Sequence, residues 1–251
     1  MDILEELSAM RRADAAEREK EISLSRMMQL AEAAPTPRKF EPHGVIAELK
    51  RASPSEGMIR EDFRPVELAR ELTAAGAAAL SVLCEPHRFL GGEEYLRAVR
   101  EVTDLPLLYK DFLTTRYQVA AARAAGADAV LLIAAVLDDA ALSDLLGFAH
   151  SFGLRALVET HDEDEIRRAV DAGAGIVGVN CRNLRNFSTD VSLLERLVGS
   201  IPRPCLRVAE SGMHTAEDIR AARAAGADAF LVGTALMRSP SPGQTLNLLN
   251  P

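Results

Sequence analysis

A chain of 251 residues that is 48% hydrophobic and 26% charged can bury a sizeable core, which excludes disordered and fibrous classes. Its net charge of −8 speaks against a broad nucleic-acid surface, because neutralising phosphates takes clustered lysine and arginine, so any bound anion must be held locally. Cys84, Cys181 and Cys205 are odd in number and irregularly spaced, which fits neither a disulfide framework nor a zinc site and suits buried thiols in a reducing cytoplasm.

The N-terminal stretch mixes acids and bases and lacks the apolar centre of a signal peptide, and no later run reaches transmembrane length. No membrane partner is therefore expected. Leu4, Leu7 and Met10, then Leu24, Met28 and Ala31, fall near helical spacing and predict charged amphipathic helices. Residues 1–43 are read as a helical extension packed on a main body. No Ser/Gly-rich linker or block of like charge interrupts Val45 to Arg238, so residues 1–251 are expected to form one domain.

From Val45 onward, short runs rich in Val, Ile and Leu follow one another: VIAELK, ALSVLC, PLLYK, AVLLIA, RALVE, GIVGVN, CLRVAE and AFLVG. Such runs suit strands buried on both faces of a parallel sheet. Helix-like segments such as PVELARELTAAG and RYQVAAARAAG alternate with them. Eight strand–helix units in a chain of this length predict a (β/α)8 TIM barrel with extra N-terminal helices. A doubly wound open sheet is disfavoured, since no G-x-G-x-x-G follows the first strand. The nine residues AARAAGADA occur at Ala121–Ala129 and again at Ala221–Ala229, each time before an apolar run. Gly126 and Gly226 are expected to end helices in the left-handed conformation, placing the fourth and eighth units in equivalent positions half a barrel apart.

Barrel chemistry sits at the carboxyl ends of the strands. There the runs close with Glu48 and Lys50, Lys110, Glu159, Asn180 and Glu210. Glu48 and Lys50 differ by two positions and so share a face, where opposite charges must satisfy each other. Glu210-Ser211-Gly212 after the seventh run and Gly233-Thr234 after the eighth are short glycine-bearing turns in the two loops that usually hold phosphate. Ser53, in the firm loop KRASPSEG, is a candidate anion donor, and Phe89, in PHRFLGG, a candidate wall for a flat ligand. His43, His87, His150, His161 and His214 are scattered in loops and helix starts and read as surface or capping residues.

In chain order, VIAELKRASPSEG, YKDF, YQVAAARAAGADAVLLIAAVLDD, LVETH, GVNCRNL, VAESG and LVGTALM closely resemble the indole-3-glycerol-phosphate synthase family of tryptophan biosynthesis. The resemblance implies a cytoplasmic carboxy-lyase without metal or organic cofactor. It would close an anthranilate-bearing deoxyribulose phosphate into an indole, losing carbon dioxide and water. Carried over motif by motif, Lys110 becomes the proton donor and Glu159 the general base. Arg182 would hold the substrate carboxylate, while Asn180, Glu48 and Glu210 orient the lysines and the sugar. Ser53, Phe112, Ser211, Gly212, Gly233 and Thr234 complete the binding set. Lys50 is open to three roles: lowering the Lys110 pKa, holding the carboxylate, or protonating the departing hydroxyl. A lysine is a poor acid at neutral pH, and burial beside another cation is expected to lower its pKa.

Cys181, Tyr109 and Gly91-Gly92 depart from the usual family residues, asparagine, arginine and Gly-Ser, without removing a proposed catalytic group. The residues alone leave two other readings. One is another sugar-phosphate barrel enzyme such as phosphoribosylanthranilate isomerase, which would not need both lysines with Glu159 and Arg182. The other is a non-catalytic phosphosugar-binding barrel, which would not need both an acid and a base. The expected partner is a phosphorylated small molecule, with the chain a monomer or weak homodimer.

Overall fold

The computed structural model describes residues 3–182 and 192–249. Two helices, α1 (Ile3–Glu21) and α2 (Leu24–Ala33), come first. Eight parallel strands follow: β1 (Gly44–Leu49), β2 (Ala79–Leu83), β3 (Leu107–Lys110), β4 (Ala129–Ile133), β5 (Arg155–Thr160), β6 (Ile176–Asn180), β7 (Leu206–Glu210) and β8 (Ala229–Val232). They lie at the eight apolar runs and close into a barrel in which β8 pairs with β1, setting Gly44 opposite Ala229 and Ala47 opposite Val232. The fold is the TIM barrel that the alternating pattern predicts.

Helices α3 (Pro65–Ala74), α4 (Glu93–Arg100), α5 (Arg116–Ala124), α6 (Asp139–Ser151), α7 (Glu163–Asp171), α8 (Ser192–Leu197) and α9 (Ala216–Ala224) connect successive strands. The short α10 (Thr234–Arg238) and then α11 (Pro242–Leu249) follow β8. One apolar cluster fills the layer between strands and helices, as with Val45, Leu72, Val130 and Phe230. A second fills the barrel interior, including Ile46, Leu108, Leu131, Leu157, Ile176 and Val208. This division follows from strand alternation, which sends successive side chains to opposite faces.

The repeated AARAAGADA has the same physical task in both copies. Gly126 and Gly226 follow α5 and α9 with φ of 96° and 101°, a left-handed conformation that costs glycine little. The aspartate two residues on then accepts from the backbone N–H that opens the preceding strand region: Asp128 from Leu107 at 2.7 Å, Asp228 from Arg207 at 2.9 Å. Each copy thus ends a helix and ties its next strand to the neighbouring one. The helix starts match too, since Thr115 with Gln118 and Thr215 with Asp218 form capping boxes on α5 and α9.

The N-terminal helices pack in two different places. Met27 and Ala31 of α2 lie on the outer face of α5, against Tyr117, Ala120 and Ala121. By contrast α1 crosses the carboxyl ends of the strands, where Leu4 and Leu7 join the interior cluster. It is pinned there by Arg11, whose guanidinium donates to Asp111 at 2.9 Å from Nε and 2.7 Å from Nη2. Arg88 with Glu6 and His87 with Asp14, both at 2.7 Å, tie the loop after β2 to the same helix. Removing one partner of a buried ion pair leaves the other charge unsatisfied. Asp111→Ala is therefore expected to lower stability by about 3–5 kcal/mol in urea unfolding.

Candidate active site

Each polar strand end points into a single cavity at the carboxyl end of the barrel. β1 delivers Glu48 and, just beyond its end, Lys50, whose Nζ lies 2.8 Å from Glu48 Oε1. The pair satisfies itself, as buried opposite charges on one face require. β3 ends in Lys110, whose ammonium donates to Glu159 Oε2 from β5 at 2.8 Å and to Glu210 Oε2 from β7 at 3.2 Å. Asn180, closing β6, donates from Nδ2 to Glu159 Oε1 at 3.1 Å. Its Oδ1 accepts from Ser211 Oγ at 2.8 Å and from the Arg182 backbone N–H at 3.0 Å. One hydrogen-bonded chain therefore runs from Ser211 through Asn180, Glu159 and Lys110 to Glu210.

Burial sets the electrostatics. Burial works against the Lys110 ammonium, but attraction from Glu159, Glu210 and Glu48 outweighs it and holds Lys110 above the ordinary lysine range. This corrects the expectation that burial and a cationic neighbour lower its pKa: Lys50 is occupied by Glu48, and the nearest charges to Lys110 are carboxylates. Burial raises the Glu159 carboxyl, yet Lys110 and His161 overcome that and bring it down to about 2. Glu210 goes the other way. Burial, with repulsion from Glu159 and Glu48, outweighs the pull of Lys110 and pushes it up to about 8.

Another side of the cavity is formed by the loops after β7 and β8. Ser211 and Gly212 have φ of 67° and 72°, two consecutive left-handed residues, the first without glycine's freedom. Gly233 precedes α10, and a Cβ there would stand 2.5 Å from Glu48 Oε1 and 3.1 Å from Lys50 Nζ, so a side chain would push that ion pair aside. Ser53, Thr234 and Lys50 face the same space. Across the cavity, the Phe89 and Phe112 rings sit with centroids 6.2 Å apart, beside Leu7, Leu131, Ile133 and Leu231. Arg182, between the two sides, donates from Nη1 to Ser55 Oγ and lies 3.7 Å from Glu56.

The structure brings all the residues selected from sequence onto this one cavity: Glu48, Lys50, Ser53, Phe89, Lys110, Phe112, Glu159, Asn180, Arg182, Glu210, Ser211, Gly212, Gly233 and Thr234. Asn183 and Leu184 of the GVNCRNL motif lie outside the described residues. Of the departing positions, Tyr109 is buried in the layer beneath the helices, away from the cavity side of β3. Cys181 directs Sγ to the Ser211 carbonyl at 3.2 Å, and Gly92 precedes α4.

Other contributors escaped sequence reasoning. The apolar stripe of α1 reads as ordinary packing, yet Ile3, Leu4 and Leu7 line the cavity. Glu85, wholly buried, accepts from the backbone N–H groups of His87, Arg88 and Phe89 at 2.7–2.8 Å and so shapes the loop that presents the Phe89 ring. His161 is no surface residue: Nε2 is buried 3.5 Å from Glu159 Oε1, and Nδ1 lies 3.1 Å from Glu165 Oε2. Gly178 reads as a plain strand glycine, but a Cβ there would stand 2.1 Å from Glu210 Oε1.

Acidic and ammonium groups facing one another at the carboxyl ends of a closed parallel barrel define a (β/α)8 enzyme equipped for proton transfer. Among solved structures, 3-hexulose-6-phosphate synthase shares this fold with a TM-score of 0.65 at 18% identity, over 83% of this chain and 98% of that one. The indole-3-glycerol phosphate synthase family model matches residues 4–249. Proteins of that name from Acidithiobacillus ferrooxidans and Micrococcus luteus are 44% and 45% identical, over 99% and 98% of this chain and 98% and 96% of their own lengths. The Roseiflexus relative is 50% identical over 84% of each chain. The chain belongs to the indole-3-glycerol phosphate synthase family of carboxy-lyases. Because misplacing a reacting group by about 1 Å can cost about 10²-fold, Gly178→Ala is expected to displace Glu210 and lower kcat by about that factor in steady-state assays.

Proposed function

We propose that the protein closes 1-(2-carboxyphenylamino)-1-deoxyribulose 5-phosphate to indole-3-glycerol phosphate with loss of carbon dioxide and water, using its own side chains as acid and base. The observation that carries the reading is the Lys110 ammonium held 2.8 Å from Glu159 between an aromatic wall and an anion loop, the three parts this substrate requires. The phosphate would sit on Ser211, Gly212, Gly233 and Thr234 with Ser53 and Lys50, and the anthranilate ring against Phe89 and Phe112. Arg182 offers a planar fork to the substrate carboxylate, releasing Ser55 and Glu56 as it does so.

Attack of the ring carbon on the ketone leaves charge on oxygen, which Lys110 protonates. Carbon dioxide leaves with its bonding pair returned to the ring. Glu159, kept ionised by its cationic neighbours, takes the C–H proton whose loss expels the hydroxyl and completes the indole, that proton departing with the hydroxyl as water. Asn180 fixes the orientation of Glu159, and Glu48 that of Lys50. All these groups come from a single chain, which supports a monomer or weak homodimer acting as one domain on a free phosphorylated small molecule. The acids and bases in place supply the chemistry without metal or organic cofactor, and a cytoplasmic location fits a biosynthetic enzyme with three cysteines outside any disulfide. Among the described residues no helix is long and apolar enough to cross a membrane.

The chain contains no tryptophan, so indole fluorescence appearing on mixing with the substrate can come only from product. That signal is expected, and its absence with a folded protein would defeat the synthase reading. Lys110→Met and Glu159→Gln are each expected to lower kcat by about 10²–10⁴-fold, the usual share of a positioned acid or base. Near wild-type turnover in either variant would remove that residue from its role.

A further inference from the structure

The charges around Lys110 do not balance. Grouped by contact, Glu48 pairs with Lys50, Glu159 with Lys110 and Glu165 with His161, while Glu56 is held more closely by Arg238 than by Arg182. Glu210 is left without a cation of its own, since its Oε2 shares the ammonium that Glu159 holds at shorter range. Its other oxygen, Oε1, is buried with no hydrogen-bond partner among the described residues, packed against Gly178. A carboxylate with one unsolvated oxygen beside two other acids is costly, whereas a neutral carboxyl avoids most of that cost.

The reaction has a matching need. When the substrate carboxylate leaves as carbon dioxide, its bonding electron pair stays on the ring, so one turnover consumes one proton overall. Lys110 alone is badly placed to supply it, because an ammonium held against the ionised Glu159, within the field of Glu48, resists losing its proton.

We propose that Glu210 rests as a neutral carboxylic acid and is the proton store of the site, passing its proton from Oε2 to Lys110 Nζ as Lys110 protonates the substrate oxygen. The step balances: the substrate oxygen gains one proton, Nζ loses one and regains one, and Glu210 is left as a carboxylate that solvent reprotonates between turnovers. Lys110 stays charged throughout. Glu210 then works within a low-dielectric site as other neutral buried carboxyls do, with an acidity closer to neutral pH than that of the lysine. The transfer rests on the synthase reading of the preceding section, whereas the neutral resting state does not.

Infrared spectra of the substrate-free protein test the resting state. Wild type is expected to show the carbonyl stretch of a neutral carboxylic acid at neutral pH, fading with a midpoint near 8 as pH rises. The band should be missing in Glu210→Gln. It should also be lost at neutral pH in Glu159→Gln, where the surplus negative charge has gone, and persist to higher pH in Lys110→Met. Glu85→Gln, a buried acid outside the cluster, should keep it. No neutral-acid band in wild type, or a band that survives Glu210→Gln, would overturn the proposal. In turnover, Glu210→Gln keeps the shape of the neutral acid but has no proton to give, so kcat should fall by about 10²–10⁴-fold. Near wild-type kcat in a folded Glu210→Gln protein would remove the store even with the band present. A wild type that shows the band but forms no indole would instead remove the synthase reading and leave the neutral carboxyl standing.

Discussion

The mouth of this barrel depends on one constraint: carboxylates and ammonium groups from distant parts of the chain must share a space that excludes most water. Coulomb interactions there are far stronger than in solvent, so small differences in distance decide which group carries a proton. Glu159 and Glu210 have the same side chain and touch the same ammonium, yet their surroundings push them apart, to about 2 and about 8. Asn180 donates to the first, while nothing among the described residues donates to Oε1 of the second. Two opposite shifts thus arise from identical residues on strands separated by one neighbour.

The scaffold fixes those distances. Strand register sets Glu159 beside Gly178 and Asn180 beside Glu210. The missing Cβ at Gly178 gives the Glu210 carboxyl its place, and the one missing at Gly233 does the same for Glu48 and Lys50. The helix-ending glycines and the aspartates that bind the adjacent backbone hold the strands in phase from outside. Above the cavity, α1 contributes apolar side chains and is locked by Arg11 to Asp111, the residue directly after Lys110.

Much of this was legible in the sequence because strand alternation is rigid. Apolar runs of the right length, separated by helical segments, leave few architectures, and the polar residue ending each run must reach the mouth. What stayed hidden depends on relations that spacing does not encode. The stripe Leu4, Leu7 and Met10 looks the same whether it covers a helix layer or roofs a cavity. Leu131 and Ile133 look like any core strand residues. The direction of the Lys110 shift follows from which charges stand nearest, and Glu159 and Glu210 lie far away along the chain. His161 reads as a helix-start residue, and only the fold turns its ring towards Glu159.

On the proposed function, one cavity brings a phosphate cradle, an aromatic wall and a proton-transfer cluster within reach of a single ligand. The decisive measurement is a crystal structure with indole-3-glycerol phosphate bound. Phosphate is expected on the turns at Ser211–Gly212 and Gly233, the indole against Phe89 and Phe112, and the bond-forming carbons between Lys110 and Glu159. Product seated elsewhere, or with its two ends exchanged, would refute this arrangement.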